Sequence, residues 1–127
     1  MEFKMKEVGF YTETANGRLN IAGDENYGFR PFQLLVSSIA VCSGGVMRKI
    51  LEKKRISYDD IHIKADVERN PDKADKVEKV HLHFTITGAQ IEEHQMEKIM
   101  VLTRKNCSMV QSVLDSIEIE ESFELIR

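Results

Sequence analysis

Alternating apolar and polar residues predict β-strands near both ends and in the middle of the chain. Residues 2–12 partly alternate, and residues 18–22 form a second short strand after the dipeptide Asn16-Gly17. This dipeptide is typical of a two-residue type I′ hairpin turn, because both central residues of that turn need positive φ. The sequence therefore predicts an N-terminal β-hairpin with its turn at Asn16-Gly17.

Two longer segments alternate strictly, which is typical of strands with one buried face. They run from Ile61 to Glu68 and from Val80 to Thr87, and the polar segment Asn70–Asp75 is a natural turn between them. A last alternating segment, residues 117–126, predicts a closing strand.

The most apolar stretch of the chain begins at Pro31, a residue that suits the first position of a helix. The pattern from Leu34 to Lys54 is helical, and its first two-thirds are apolar or small on every side, which predicts burial all round. Gly44-Gly45 inside a helix costs about 1 kcal/mol per glycine relative to alanine, and the close approach of another backbone would offset that cost. A chain of 127 residues has little interior in which to surround such a helix, so we expect a homodimer that buries it between subunits.

Two further helices are predicted before the closing strand. One runs from Ile91 to Arg104, and the other runs from Cys107 to Leu114 with Asn106 as its N-cap. The element order is then β-β-α-β-β-α-α-β, an α+β arrangement with a long buried central helix. The length predicts a single domain over residues 1–127.

Charge and composition exclude several classes of function. The chain has 18 basic and 21 acidic residues, well mixed, so no concentration of positive charge indicates binding to nucleic acid or an anionic membrane. Its N-terminus lacks the apolar core of a signal peptide, and its longest uncharged run, Pro31–Met47, reads as too short and too polar for a membrane span. We therefore expect a cytoplasmic protein, in a compartment that disfavours permanent disulfides but permits transient catalytic ones.

The chain has two cysteines, and their wide separation excludes a zinc knuckle or a Cys-x-x-Cys redox loop. Cys42 lies in the apolar helix, where a small buried hydrophobe is the simplest interpretation. Cys107 opens a helix, so free N–H groups and the nearby cations Arg104 and Lys105 favour its thiolate. From the residues alone Cys107 is the better nucleophile, and a packing role stays open for both thiols.

Three histidines, His62, His81 and His83, point to the same polar side of the two middle strands. Zinc accepts imidazole ligands, but no cysteine or carboxylate stands at a spacing that would complete a site. The sequence therefore predicts neither a metal nor another cofactor.

Two groups of residues resemble one known family over nearly the whole chain. The first is Pro31 with Leu34-Leu35 and then Ser-Ile-Ala-Val-Cys42, and the second is Lys105-Asn-Cys107-Ser108 followed by Ser112-Val-Leu114. At this spacing they resemble the OsmC/Ohr proteins, and this chain looks closest to the short members. The resemblance implies an intertwined homodimer in which two long central helices pack against each other.

The resemblance also implies a peroxidase that reduces organic hydroperoxides with two cysteines. The thiol at the position of Cys42 attacks the peroxide and becomes a sulfenic acid, and the thiol at the position of Cys107 condenses with it to a disulfide. A small dithiol or a lipoylated protein then reduces that disulfide. This assignment reverses the order of the two cysteines inferred from the residues alone.

In the peroxidases that this chain resembles, an arginine from the N-terminal hairpin pairs with the first thiolate, and a glutamate just after the proline holds that arginine. Arg18 is the hairpin candidate here, and Arg30 is the alternative. Phe32 stands at the glutamate position, followed by Gln33, which can accept a hydrogen bond from arginine but carries no charge. A non-catalytic dimer on the same scaffold, which binds a small molecule or has a structural role in stress, is the alternative function.

Overall fold

The computed structural model describes all 127 residues, and the chain divides into two compact units, Met1–Ser37 and Ser38–Arg127. The first unit contains a three-stranded antiparallel sheet and the start of the long helix. The second contains the rest of that helix, a second three-stranded sheet and two further helices. The α+β class confirms the predicted fold, whereas a single domain over residues 1–127 stays a prediction.

The sheet of the first unit has the order β1-β2-β3, with strands Lys4–Met5, Phe10–Thr14 and Gly17–Ile21. The sequence predicted one continuous strand over residues 2–12, but a turn at Gly9 divides it. Gly9 has φ of 79°, and a Cβ there would collide with the carbonyl oxygen of Ile21. Only glycine fits this close approach, so the chain reverses between β1 and β2.

The predicted hairpin is present, but its turn lies one residue earlier than expected. Thr14 pairs with Gly17, so Ala15 and Asn16 are the two turn residues, and neither has positive φ. Gly17, with φ of 113°, is the residue that adopts the left-handed conformation. The backbone N–H of Asn16 donates to Thr14 Oγ1 at 3.1 Å, which holds a different turn from the predicted type I′.

The long helix α1 spans Pro31–Lys53, with Pro31 at its first position as predicted. One face is buried: Ile39, Ser43, Met47 and Leu51, spaced four residues apart, are fully inaccessible to solvent. The opposite face is open, and Val41 is 71% exposed. Within one chain α1 is therefore buried on one face only, and burial of its open face by a second subunit stays a prediction.

The paired glycines of α1 have different surroundings. A Cβ on Gly44 would meet the side chain of Ile63 at 2.7 Å, whereas Gly45 has nothing within 4 Å. Within this chain the close neighbour of Gly44 is therefore a side chain, not the second backbone that the sequence suggested.

By length and composition alone α1 could cross a bilayer, since its mean hydropathy over an 18-residue window is 1.5. This differs from the expectation drawn from its uncharged run. The core helix of a soluble protein passes the same test, and 33% of that window is buried in this chain.

The sheet of the second unit has the order β4-β5-β6, with strands Asp60–Asn70, Lys76–Thr87 and Glu118–Ile126. β4 and β5 are antiparallel around a short 3₁₀ turn, Pro71–Lys73, as the polar segment predicted. β5 and β6 are parallel, which requires a crossover. The helices α2, Glu93–Asn106, and α3, Ser108–Val113, supply it.

The junction between α2 and α3 falls at Cys107, one residue later than predicted. Asn106 ends α2, where its side-chain nitrogen donates to the carbonyl of Leu102 at 2.8 Å. Cys107 itself occupies the N-cap position of α3 and has extended backbone geometry. This bend turns the first N–H groups of α3 toward α1.

Candidate active site

The two cysteines lie together, because α1 passes beside the α2–α3 junction. Cys42 is half-buried on α1, and Cys107 is fully buried at the junction. Cys42 Sγ lies 3.7 Å from Ser108 Oγ, and Ser43 Oγ lies 3.4 Å from Cys107 Sγ, so each cysteine contacts the segment that carries the other. The structure thus joins two residues that are far apart in sequence into one dithiol site.

Several donors surround the Cys42 sulfur. Burial by itself raises the pKa of Cys42, but hydrogen bonds from the backbone N–H of Met109 and from the thiol of Cys107 lower it. Ser108 adds its backbone N–H and its hydroxyl, whose Oγ lies 3.7 Å from Cys42 Sγ. The first N–H groups of a helix have no partner within the helix, so they stabilise a thiolate. The pKa of Cys42 is therefore below its ordinary value.

The pKa of Cys107 is shifted in the opposite direction, above its ordinary value. Burial raises its pKa, and hydrogen bonds from the Ser43 hydroxyl and the backbone N–H of Val110 offset only part of that effect. Its own hydrogen bond to Cys42, together with the negative charge there, raises the pKa of Cys107 further. Of the two thiols, Cys42 is thus the one whose pKa is lowered, and Cys107 is the one whose pKa is raised.

The preference for Cys107 as the nucleophile, drawn from the residues alone, disagrees with this geometry. The start of α3 does stabilise a thiolate, but much of that stabilisation falls on Cys42, which is remote in sequence. Arg104, expected to add charge near Cys107, instead binds Glu121 and the carbonyl of Ile119, each at 2.8 Å. The local sequence carried no signal for either contact.

The sequence by itself assigned no chemical role to Ser43 or Ser108, each directly after a cysteine, although Ser108 belongs to the motif that carries the resemblance. Ser43 Oγ lies 3.4 Å from Cys107 Sγ, and Ser108 Oγ lies near Cys42, so each serine contacts the cysteine of the other segment. Their positions directly after the two cysteines were the one feature of the sequence that could have pointed to these contacts.

Arg18 lies on β3 in the Met1–Ser37 unit. Its Nη2 is 2.6 Å from Glu13 Oε1, and its guanidinium lies 4.0 Å from the centre of the Tyr11 ring. A carboxylate therefore already neutralises the Arg18 charge.

Arg30 precedes α1 in the same unit and has no carboxylate partner of this kind. Its guanidinium lies 4.8 Å from the centre of the Phe32 ring, and its Nε is buried without a hydrogen-bond acceptor. Phe32, at the position where the resemblance implies glutamate, thus contacts the arginine through a ring face, which attracts the cation without neutralising it.

Gln33 makes a different contact from the one the resemblance implied. Its Oε1 accepts a hydrogen bond from the backbone N–H of Arg30 at 3.1 Å. This contact is half of a capping box and fixes the start of α1. Gln33 therefore orders the backbone that carries Arg30.

The three histidines do not form a common cluster. His81 Nε2 and His83 Nδ1 both contact Ser122 Oγ, at 2.8 and 2.7 Å, whereas His62 is exposed on β4. No group of three or more histidine, cysteine, aspartate or glutamate side chains is arranged to hold a metal ion.

Comparison with known proteins agrees with this fold. The family model for OsmC-like proteins matches residues 23–122. Protein YhfA of Escherichia coli K12 is 26% identical over 121 residues, covering 92% of this chain and 90% of YhfA. A hypothetical protein of Aquifex aeolicus VF5 superposes with a TM-score of 0.86 at 28% identity, covering 98% of this chain and 92% of that one.

The organic hydroperoxide resistance protein OsmC of Legionella pneumophila shares the fold at 18% identity, with a TM-score of 0.76 over 97% of this chain and 93% of that one. A long α1 beside a two-cysteine junction, within a sheet-and-helix fold of this order, defines a protein of the OsmC class. Because the family model matches most of the chain, this protein belongs to the OsmC/Ohr family. It is a stress-related family that includes proteins named for organic hydroperoxide resistance.

The opposite pKa shifts of the two thiols predict different pH profiles of alkylation. A lowered pKa keeps Cys42 ionised to lower pH, so its labelling by iodoacetamide should have a midpoint below that of an ordinary cysteine. The midpoint for Cys107 should be higher. Mass spectrometry of labelled peptides across a pH series measures both midpoints, and in unfolded protein the two should coincide. A lower midpoint for Cys107 than for Cys42 would contradict the assignment.

Proposed function

We propose that this protein is a thiol-dependent peroxidase that reduces organic hydroperoxides, with Cys42 as the attacking thiolate and Cys107 as the resolving thiol. The observation that carries the proposal is the placement of both cysteines in one site, where Ser108 Oγ lies 3.7 Å from Cys42 Sγ and Ser43 Oγ lies 3.4 Å from Cys107 Sγ. The lowered pKa of Cys42 favours an attacking thiolate, and the neighbouring Cys107 offers the second thiol that two-cysteine peroxide reduction needs.

In the first step the Cys42 thiolate attacks the terminal oxygen of the hydroperoxide. An S–O bond forms as the O–O bond breaks, and the departing alkoxide takes a proton to become the alcohol. The sulfur loses two electrons and becomes a sulfenic acid, while the hydroperoxide is reduced.

The second step uses the charge relation between the two cysteines. While Cys42 is a thiolate, its charge and hydrogen bond keep Cys107 protonated. Oxidation of Cys42 removes that negative charge, so the donors Ser43 and Val110 can stabilise a Cys107 thiolate. Cys107 then attacks the Cys42 sulfur, an S–S bond forms, the S–O bond breaks and the hydroxide leaves as water.

Regeneration requires an external reductant that carries two thiols. A small dithiol or a lipoylated protein attacks the disulfide, forms a mixed disulfide and closes its own ring. Cys42 and Cys107 return as thiols, and the donor leaves oxidised. A reducing cytoplasm, which we propose as the location, would maintain such a donor.

Arg30 is the cation that we propose for the Cys42 thiolate, with Arg18 as the alternative. Arg18 is neutralised by Glu13, whereas the Arg30 guanidinium contacts an aromatic face and retains its full charge. A positive charge near a thiolate lowers the thiol pKa.

We also propose that the working form is a homodimer, as members of this family typically are. The exposed face of α1 supports this proposal, because Val41 and Gly45 lie one turn apart on it and a small residue permits close helix packing. A second copy of α1 would cover the apolar surface that one chain leaves open.

A binding function on the same scaffold is the second candidate. One observation favours it: an apolar cleft of about 530 Å³ in the Met1–Ser37 unit, whose lining includes Phe3, Phe10, Ile21 and Pro31. Clefts of this size and character hold small lipophilic ligands. In that function the cysteines would remain reduced in the presence of peroxide.

Thiol counting after addition of cumene hydroperoxide separates these functions. One equivalent should remove both thiols of the reduced protein. Cys42→Ser should lose none, and Cys107→Ser should form a sulfenic acid that dimedone traps on Cys42. Survival of both thiols in excess hydroperoxide would eliminate the peroxidase and leave the binding function.

Substitution of the two arginines tests which cation serves Cys42. Arg30→Gln should raise the alkylation midpoint of Cys42 and slow its oxidation at pH 7 by about tenfold or more, since one pKa unit corresponds to a factor of ten. Arg18→Gln is the matched control and should change both by less than about twofold. A larger effect of Arg18→Gln than of Arg30→Gln on Cys42 would instead assign the role to Arg18.

Sedimentation equilibrium tests the dimer. The protein should sediment with twice the 14.6 kDa mass of one chain. Val41→Glu should give monomers, because the substitution places a charge in an apolar contact between helices. Val101→Glu alters a valine of similar exposure on α2 and should leave the dimer intact. A monomeric parent protein, or a dimeric Val41→Glu, would refute the proposed interface.

A further inference from the structure

Ser43 is a buried polar residue on the inward face of the long helix. Its side chain is fully inaccessible to solvent, and its Oγ lies 3.4 Å from Cys107 Sγ. A buried hydroxyl without a partner is costly, and serines inside helices commonly donate to the carbonyl four residues back. This serine donates to a sulfur on another segment instead.

We propose that Ser43 is a positioning residue for the resolving thiol: its hydroxyl holds the Cys107 sulfur against Cys42 and stabilises the Cys107 thiolate after Cys42 has been oxidised. The inference deepens the proposed function, and its second half rests on that function. The contact itself does not require the protein to be a peroxidase.

The contact between Ser43 and Cys107 explains why the hydroxyl would act late in the cycle. In the reduced protein Ser43 donates to Cys107, whose pKa is raised by burial and by the neighbouring Cys42, so the hydroxyl there faces mainly a neutral thiol. After Cys42 becomes a sulfenic acid, negative charge is needed on Cys107. A hydrogen bond to an ionised sulfur is stronger than one to a neutral thiol, so Ser43 contributes most at that moment.

Ser108 provides a matched comparison within the same site. Its hydroxyl lies 3.7 Å from Cys42 and is exposed, and it helps to lower the pKa of Cys42. Each serine follows one cysteine in sequence and contacts the other in space. Removal of the Ser43 hydroxyl should therefore affect the second chemical step, and removal of the Ser108 hydroxyl should affect the first.

Single-turnover kinetics with cumene hydroperoxide separate the two steps. Sulfenic acid formation on Cys42 is the first phase, and disulfide formation is the second. Ser43→Ala should slow the second phase by about tenfold, the size expected when one hydrogen bond to a charged sulfur is lost, and should leave the first within about twofold. Ser108→Ala should slow the first phase and spare the second. Ser43→Thr keeps a hydroxyl and should restore much of the rate.

A measurement without peroxide keeps the inference independent of the proposed function. The alkylation midpoint of Cys107 in the Cys42→Ser protein should rise when Ser43→Ala is added, and urea unfolding verifies that the double variant is folded. A parent protein that does not react with peroxide would remove the proposed function, while a raised midpoint would still support the Ser43 contact. An unchanged Cys107 midpoint would overturn the inference, as would an unchanged second phase in a protein that reacts with peroxide.

Discussion

The packing of Cys42 beside Cys107 is the constraint on which the site depends. It arises because α1 and the α2–α3 junction pack in the same unit, and it shifts the pKa values of two chemically identical thiols in opposite directions. Burial alone would raise the pKa of both. The directed donors of α3 act mainly on Cys42, so geometry, and not residue type, decides which thiol has the lower pKa.

In the proposed mechanism, the opposite pKa shifts of the two thiols set the order in which they react. In the proposed peroxidase cycle, the raised pKa of Cys107 would limit its reaction with peroxide, and Cys107 would ionise more easily once the charge on Cys42 is lost. The polar groups that make this possible are few and local: the Ser43 hydroxyl and the first N–H groups of a six-residue helix. Buried networks of this kind depend on every member being hydrogen-bonded, because a buried donor or acceptor without a partner is costly.

The N-terminal unit departs from the pattern of the peroxidases that the chain resembles, where an acid holds the arginine. Phe32 occupies the acid's position, and its ring lies under the Arg30 guanidinium. A carboxylate would hold the arginine strongly but neutralise it, whereas a ring holds it less strongly and leaves its charge free to act on another anion. Gln33 compensates in part, because it fixes the backbone of Arg30 at the start of α1.

The sequence by itself determined the α+β class, the long helix from Pro31, the middle strands and the OsmC/Ohr family, because periodicity and short motifs act locally. It misplaced the Asn16-Gly17 turn and the Asn106 cap by one residue, since competing caps and turns differ by little energy there. It also preferred Cys107 as the nucleophile. Only the tertiary structure lowers the pKa of Cys42 and raises that of Cys107, because the N–H groups that follow Cys107 donate to a sulfur on another helix, and no local pattern encodes a contact across the fold.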